Sequence, residues 1–251
     1  MKKEKSTQDI RKAGGSLRTQ APTNVPDQHD TRQEQMAVRA LDGTHELVVK
    51  TALRYVSQCR TALDLGAWSG ALTKRLQESG FTVTAADIEN KLALETEFVQ
   101  LDFNDPDFDR AFSSRFDLVA SVEVIEHLEN PTAFLRSIAR LLNPGGIAIL
   151  TTPNVDNAAA RLKFFRSGKI RAMEDNNPEH VTPIHLDLFL RQTLPNAGMR
   201  LVEQMVYPEG KFPLTGRKYL IGLFRLAALL MSGPALTGDT HVFVLRKSRE
   251  L

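Results

Sequence analysis

The sequence predicts an α/β protein built on a doubly wound, mostly parallel sheet of seven strands. The first observation behind this prediction is that short apolar runs alternate with amphipathic stretches of helical period, such as residues 71–77 and 132–142. The second is that the first apolar run leads directly into a glycine-containing turn and then a helix, as in sheets that bind ligands at their carboxyl ends. The predicted strands are residues 61–65, 82–88, 97–101, 116–122, 147–152, 201–206 and 241–245.

Length and composition indicate a globular chain. The 251 residues suffice for one large domain or two small ones. The single cysteine, Cys59, excludes an intramolecular disulfide and leaves no Cys/His pattern for a zinc site, which suits a reducing compartment. The basic start of the chain continues into polar residues instead of an apolar run, so it is not typical of a signal peptide. We therefore expect a cytoplasmic protein.

The chain divides into a tail and one domain. Residues 1–33 are polar, lack apolar periodicity and are predicted to be disordered. Residues 34–251 form the predicted domain, which opens with two short helices within 34–58 that a turn at Asp42 and Gly43 separates. The two ends are basic and the body is acidic, although the net charge is only +2. Enzymes that act on nucleic acids more often carry a basic body, so a nucleic-acid partner is not expected.

The most informative motif is the turn that follows the first predicted strand, with the sequence Asp-Leu-Gly-Ala-Trp-Ser-Gly over residues 64–70. Glycines let the backbone approach a ligand closely, and the following helix offers unpaired N–H groups to an anion. Taken alone, the same pattern also fits an ordinary tight turn between a strand and a helix.

Two further strand ends carry polar residues suited to a nucleoside. Asp87 ends the second predicted strand, where a carboxylate can accept two hydrogen bonds from a ribose diol. Asp102 and Phe103 follow the third, and they offer an acceptor for an exocyclic amine beside an aromatic ring. A helix cap at Asp87 and a turn at Asp102 are the alternatives. All three sites at the same edge of the sheet together favour a nucleoside-containing ligand.

An ordered set of motifs over residues 60–206 resembles the class I S-adenosylmethionine-dependent methyltransferases, in particular the small-molecule branch with the ubiquinone-biosynthesis O-methyltransferases. The set comprises the turn at 64–70, Asp87, residues 116–128, the Asn-Pro-Gly-Gly turn at 143–146, residues 151–154 and a helix ending at 194–199. The resemblance implies a Rossmann-like methyltransferase fold whose last strand is antiparallel, and S-adenosyl-L-methionine as cofactor. It also implies a cofactor site comprising Asp64, Gly66, Ala67, Gly70, Asp87, Ile88, Asp102 and Phe103.

Within that implied site, Gly66, Ala67 and Gly70 would contact the methionine part of the cofactor, Asp87 its ribose, and Asp102 with Phe103 its adenine. Trp68 departs from the family, which usually has glycine at this position. A bulky side chain fits there if it points away from the cofactor.

Candidate catalytic residues follow the fourth predicted strand. Glu123, Glu126 and His127 would share one face if this segment were helical, and His180 follows later in the chain. A similar set with one later histidine binds a divalent metal in small-RNA 2′-O-methyltransferases, whereas many small-molecule relatives carry these residues without a metal. Metal ligation, general-base catalysis by His127 or His180, and a structural role all remain open.

The acceptor is predicted to be an oxygen of a small molecule, such as a sugar, a phenol or a lipid-linked compound. The chain lacks an Asn/Asp-Pro-Pro-Tyr motif after the fourth strand, which families that methylate amino groups of adenine or glutamine usually carry. Methylation of RNA or protein is one alternative. A non-catalytic subunit that binds the cofactor is the other, and Trp68 is the feature that favours it.

A long insertion, residues 207–239, precedes the last predicted strand. Its segment 219–231 is apolar on nearly all faces and shorter than the roughly 20 residues needed to span a bilayer. We expect a helix there, which could pack on its own domain, close over the acceptor, form a dimer face or make a peripheral membrane contact.

Overall fold

A computed structural model describes residues 38–57, 60–210 and 235–248. The strands are β1 (Thr61–Leu65), β2 (Thr82–Asp87), β3 (Glu97–Gln100), β4 (Phe116–Val122), β5 (Leu142–Pro153), β6 (Met199–Tyr207) and β7 (Thr240–Lys247). The helices are α1 (Thr44–Tyr55), α2 (Ala71–Glu78), α3 (Pro131–Leu141), α4 (Ala158–Ser167), α5 (Leu186–Leu188) and α6 (Leu194–Asn196), with a π-helical turn, Phe189–Thr193, joining the last two.

All seven strands lie in one sheet, in the order β3-β2-β1-β4-β5-β7-β6. The pairs among β1 to β5 are parallel, and β7 runs antiparallel to both β5 and β6. The strand order reverses between β1 and β4, so the carboxyl ends of these two strands flank the crevice where doubly wound sheets bind ligands. The predicted fold class is confirmed.

Apolar residues cover both faces of the sheet because side chains alternate along each strand. On β1, Ala62 belongs to a core that α1 and α2 cover, whereas Leu63 belongs to a core on the opposite face beneath α3. Helix starts are set locally as well. Asn130 caps α3 by accepting a hydrogen bond from the Ala133 N–H, and Pro131 occupies the first turn, where no N–H is needed.

Some predicted boundaries were wrong. Residues 38–42 are not helical, so within the described part of the predicted pair at 34–58 only α1 forms. Strand β5 includes the Asn-Pro-Gly-Gly segment, which the sequence suggested as a turn. Gly146 lies so close to β4 that a Cβ atom there would be 3.0 Å from the Phe116 carbonyl oxygen. The predicted tail and the predicted helix at 219–231 lie outside the described residues.

Among the residues that the structure describes, no helix has both the length and the apolar character needed to cross a membrane.

Candidate functional site

The turn after β1 is held by glycines in conformations that other residues rarely adopt. Gly66 and Gly70 have φ angles of 84° and 85°. A Cβ atom on Gly66 would lie 2.3 Å from Val124 Cγ2, so the turn packs directly against the segment that follows β4. The N–H groups of Gly66 and Ala67 both donate to the Ala86 carbonyl on β2. The carboxyl ends of β1, β2 and β4 are thereby joined at one edge of the sheet.

Asp87, at the end of β2, is fixed beside this turn. Its carboxylate accepts from the Trp68 N–H at 2.8 Å through one oxygen and from the Ile88 N–H at 2.7 Å through the other. Each carboxylate oxygen keeps a second lone pair. The Ile88 side chain is 58% exposed at the mouth of the site. A half-buried carboxylate held in this way fits the diol of a ribose.

Asp64 lies beneath the turn and is 1% exposed. Thr73 Oγ1 on α2 donates to it at 2.6 Å. Burial raises the pKa of Asp64 to about 6, and the negative charge of Asp87 adds to this, while the hydrogen bond from Thr73 acts in the opposite direction. Asp64 therefore ties β1 to the start of α2 and carries a charge that is costly when nothing cationic lies nearby.

Two residues that the sequence did not suggest, His45 and Arg39, line a cavity of about 40 Å³ together with Asp64, Gly66 and Trp68. His45 is 8% exposed, and its Nδ1 has no hydrogen-bond partner among the described residues. Burial, aided by the positive charge of Arg75, lowers its pKa to about 4, so this imidazole is neutral. Its place in the apolar stripe of α1 is the signal that could have drawn attention to it.

Trp68 is half-buried and has a φ of 47°. The Arg39 guanidinium lies 3.6 Å from the centroid of its ring, and the Lys91 ammonium lies 4.3 Å from the same ring. Both are cation–π distances. The indole that replaces the usual glycine thus holds two cations next to the turn.

The predicted adenine contacts at the end of β3 differ from one another. Asp102 is exposed, and one of its oxygens accepts from the Asn104 N–H at 2.9 Å. Phe103 is 8% exposed, and its ring packs against Phe108 and Phe134 at centroid distances of 5.5 and 5.9 Å. Phe103 is therefore a member of the core. A direct contact of its ring with adenine stays a prediction.

The segment after β4 does not form the helical face that the sequence suggested for Glu123 and Glu126. Glu123 has a φ of 54°, and only a short 3-10 turn, Ile125–His127, follows it. The Glu123 N–H donates to Thr151 Oγ1 at 3.1 Å, and that hydroxyl donates to Glu123 Oε1 at 2.8 Å. These bonds aim the Glu123 side chain toward β5.

Glu126 is fully buried. Its Oε2 accepts from Thr152 Oγ1 at 3.1 Å, and its Oε1 has no partner among the described residues. Burial raises the pKa of Glu123 to about 7 and raises that of Glu126 well above its ordinary value, to which the charge of Glu123 also contributes. The pair of carboxyl groups therefore retains at least one proton at neutral pH.

His127 and His180 meet beside Glu126. Their rings are perpendicular, with centroids 4.7 Å apart. His127 Nδ1 lies 3.1 Å from the Glu179 carbonyl oxygen, and His180 Nδ1 lies 2.7 Å from that of Ala172. Because a carbonyl only accepts, Nδ1 of each ring carries a proton, and in the neutral form of each imidazole the lone pair is therefore on Nε2. Burial and the neighbouring His180 lower the pKa of His127.

Glu126, His127 and His180 form a cluster in which one possible ligand atom from each residue lies within 4.8 Å of the others. A carboxylate and two imidazoles are a donor set that several divalent metals accept. Each imidazole also bonds a carbonyl through its other nitrogen, as metal-bound histidines do. The residues of this cluster are therefore suited either to hold a divalent cation or to accept a proton.

Comparison with known proteins decides the family. A family model described as a methyltransferase domain matches residues 30–204. The chain belongs to this methyltransferase family. The predicted methyltransferase family is thereby confirmed.

Relatives of this methyltransferase include ubiquinone biosynthesis O-methyltransferases. The protein with this name from Xanthomonas axonopodis pv. citri (strain 306) is 32% identical over an alignment of 161 residues, and the match covers 58% of this chain and 65% of the relative. The one from Caulobacter sp. (strain K31) is 33% identical over an alignment of 101 residues, and the match covers 37% of this chain and 40% of the relative. The methyltransferase thus matches less than two thirds of the length of these relatives.

Solved structures share the fold of this methyltransferase. A SAM-dependent methyltransferase from Archaeoglobus fulgidus aligns over 88% of this chain and 100% of its own, with a TM-score of 0.56 and 19% identity. Magnesium protoporphyrin IX methyltransferase from Synechocystis PCC 6803, solved with bound SAH, aligns over 82% of both chains, with a TM-score of 0.52 and 16% identity. At these identities the likeness concerns the fold.

Proposed function

We propose that this methyltransferase transfers the methyl group of S-adenosylmethionine to an oxygen of a small molecule, with His127 as the base. The observation that carries the proposal is the cluster of Glu126, His127 and His180, with its unprotonated Nε2 atoms, beside the turn that follows β1. The close packing of Val124 against Gly66 supports a position of this cluster next to the proposed cofactor site. An acceptor oxygen bound there would lie between a methyl donor and a base.

The residues have separate tasks. When bound, the cofactor supplies an activated methyl group on a sulfonium, which becomes a neutral thioether as the new C–O bond forms. His127 Nε2 takes the proton that the acceptor hydroxyl loses, and its lowered pKa keeps the imidazole unprotonated at neutral pH. His180 orients the acceptor from the neighbouring ring. Glu123 fixes the turn after β4 through Thr151.

The cofactor subsite is proposed on the same basis. Gly66, Ala67 and Gly70 would face the methionine part, and Asp87 would bind the ribose, since its carboxylate is already aimed by two backbone N–H groups. Asp64 would lie close to the cationic part of the cofactor. This would offset the cost of burying its charge.

The test measures formation of S-adenosylhomocysteine with a panel of phenols, sugars and polyprenyl alcohols. Replacing the presumed base (His127→Ala) should slow turnover by ~10² or more while leaving cofactor affinity intact, and His180→Ala should also reduce the rate. The matched control is His185→Ala, because His185 is half-exposed and pairs with Asp156 outside the cluster. Full activity in both His127→Ala and His180→Ala would contradict the proposal. Cofactor binding without turnover on any acceptor would favour a non-catalytic subunit.

A second candidate, metal-assisted transfer at the same cluster, is favoured by the unpartnered and buried Oε1 of Glu126. A divalent cation held by Glu126, His127 and His180 would lower the pKa of a bound hydroxyl. Calorimetry with Mn²⁺ or Mg²⁺ on wild type and Glu126→Gln tests this, since the variant keeps the size of the side chain but cannot give up a proton to become a charged metal ligand. If chelation abolishes turnover and the metal restores it, the metal route holds. An unchanged rate after chelation leaves His127 as the base.

A further inference from the structure

A basic cleft lies at the opposite edge of the sheet from the methyltransferase site. Its cavity has a volume of about 390 Å³, and Arg115, Arg200, Arg246 and Lys247 line it together with residues 142–146. These four cations come from the start of β4, the start of β6 and the end of β7. Strand β4 spans seven residues from this edge to Glu123. At ~3.3 Å per residue the cleft is roughly 20 Å from the proposed acceptor site.

Two of these arginines bring like charges together at the mouth of the cleft, and the Arg246 guanidinium lies 6.0 Å from the centroid of the Tyr55 ring. Arg200 and Arg246 are direct partners across β6 and β7, so both side chains emerge on the same face of the sheet. Like charges at directly opposite positions destabilise a sheet. Among the described residues neither arginine has a carboxylate within ion-pair distance. The Arg246 Nε is also buried and lacks a hydrogen-bond acceptor. Buried donors of this kind are rare in folded proteins and call for an explanation.

One carboxylate, Asp117, bonds a lining residue but forms no ion pair with the cations of the cleft among the described residues. Asn143 lines the cavity and donates to Asp117 Oδ1 at 2.8 Å. The other oxygen of Asp117 accepts from both the N–H and the hydroxyl of Thr61. The hydrogen bonds of the Asp117 carboxylate thus join β4 to β1 and to β5.

The backbone of the cleft leaves room for a ligand. Gly145 has a φ of 82°, and a Cβ atom built on it would meet no atom within 4 Å, so open space adjoins this position. The absence of a side chain at Gly145 lets a ligand approach the main chain there.

We propose that this cleft binds the phosphate part of a small molecule, in the form of a phosphate monoester or a diphosphate. Several cations on three strands match an anion with two or more charges, and the planar fork of an arginine fits the oxygens of a phosphate. A phosphate between Arg200 and Arg246 would remove their repulsion and supply an acceptor for the buried Nε. The cavity volume lies within the range of small-ligand sites, about 300–1,000 Å³.

Calorimetry with inorganic pyrophosphate on the full chain tests the proposal. Wild type should bind at low ionic strength and bind more weakly as salt is added. Both Arg200→Ala and Arg246→Ala should weaken the affinity at least ~10-fold, whereas Arg200→Lys should keep part of it. The matched control is Arg110→Ala, because Arg110 is exposed and pairs with Asp107 outside the cleft. S-adenosylmethionine affinity, measured in parallel, should not change and shows that each variant is folded.

The source of the phosphate is distinguished by vesicles that contain phosphatidic acid. If the protein co-sediments with these vesicles and pyrophosphate prevents it, the ligand is a lipid headgroup. If the protein binds pyrophosphate but does not co-sediment, the ligand is a free anion. No pyrophosphate binding by wild type at low salt, or an equal loss in Arg110→Ala and Arg200→Ala, would overturn the proposal.

Discussion

Replacing Asp64 by asparagine should stabilise the protein without cofactor. Asp64 is 1% exposed, and burial raises its pKa from 3.8 to about 6. A shift of ~2 pKa units corresponds to about 3 kcal/mol of unfavourable free energy for the charged form. Asparagine has nearly the same shape and can still accept the hydrogen bond from Thr73. At pH 8, Asp64→Asn should therefore raise the free energy of unfolding by up to about 3 kcal/mol.

The effect should depend on pH in a defined direction. Above pH 6 Asp64 is ionised in both the folded and the unfolded chain, so the full cost of burying its charge is present. As the pH falls from 6 to 4, the folded state takes up a proton first and the cost decreases. Below pH 3.8 both states are protonated, and wild type and Asp64→Asn should have equal stability.

Urea unfolding at pH 8, 6 and 4 measures this difference. In thermal unfolding at pH 8, the same gain in stability should raise the melting temperature by about 6–12 °C for a chain of this size. Thr73→Val is the matched control, because it removes the hydrogen bond and keeps the charge, and it should destabilise the protein. The reasoning is refuted if Asp64→Asn is less stable than wild type by the same amount at pH 8 and pH 4. The variant should also bind S-adenosylmethionine more weakly, since it lacks the charge that we propose lies near the cationic part of the cofactor.

Three further outcomes are expected. Asp87→Ala should weaken S-adenosylmethionine binding by about 2–4 kcal/mol in calorimetry, because the variant lacks the two proposed hydrogen bonds to the ribose and the acceptor for the Trp68 N–H. An unchanged affinity would contradict the ribose role. The pKa of His45 is lowered from 6.5 to about 4 in the folded protein. The free energy of unfolding should therefore fall by up to ~3 kcal/mol as the pH drops from 6.5 to 4. In urea unfolding, His45→Gln should remove this part of the pH dependence. Phe134→Ala should cost about 3–5 kcal/mol of unfolding free energy, since Phe134 is 1% exposed in an aromatic core; a loss below 1 kcal/mol would mean that the core closes around the cavity.

The sequence predicted the sheet well because local signals suffice for it. Strands β1 and β4 have the predicted bounds, since each is an apolar run between polar or glycine-rich segments. The start of β5 was missed because the register of the Asn-Pro-Gly-Gly segment depends on hydrogen bonds to β4, which local sequence does not contain. The position of Asp87 beside the turn after β1 could be predicted because the carboxyl ends of neighbouring parallel strands meet at one edge of the sheet, and its ribose role stays a prediction.

Other parts of the site depend on contacts between distant segments. His45 precedes the turn after β1 by about twenty residues, and its buried and unpartnered Nδ1 becomes apparent only once α1 packs on the sheet. Phe103 looked like a ring that is free to contact adenine, but its partners in the core are Phe108 and Phe134. A helical face through Glu123 was also a local inference. It was wrong because Thr151 on the neighbouring strand fixes Glu123 at a positive φ.

The meeting of His127 and His180 shows how a site can be specified by the backbone. The Glu126 carbonyl accepts from the N–H groups of Val181 and Thr182, both at 2.9 Å, and the Thr182 hydroxyl donates to the Leu128 carbonyl at 2.6 Å. Residues 181 and 182 are therefore joined to the chain on both sides of His127. Each Nδ1 is then fixed by a further carbonyl, so the direction of both Nε2 lone pairs is set before any ligand arrives. Because preorganised groups lose little freedom on binding, this backbone frame is what would make the imidazole pair effective, whether it receives a proton or holds a cation.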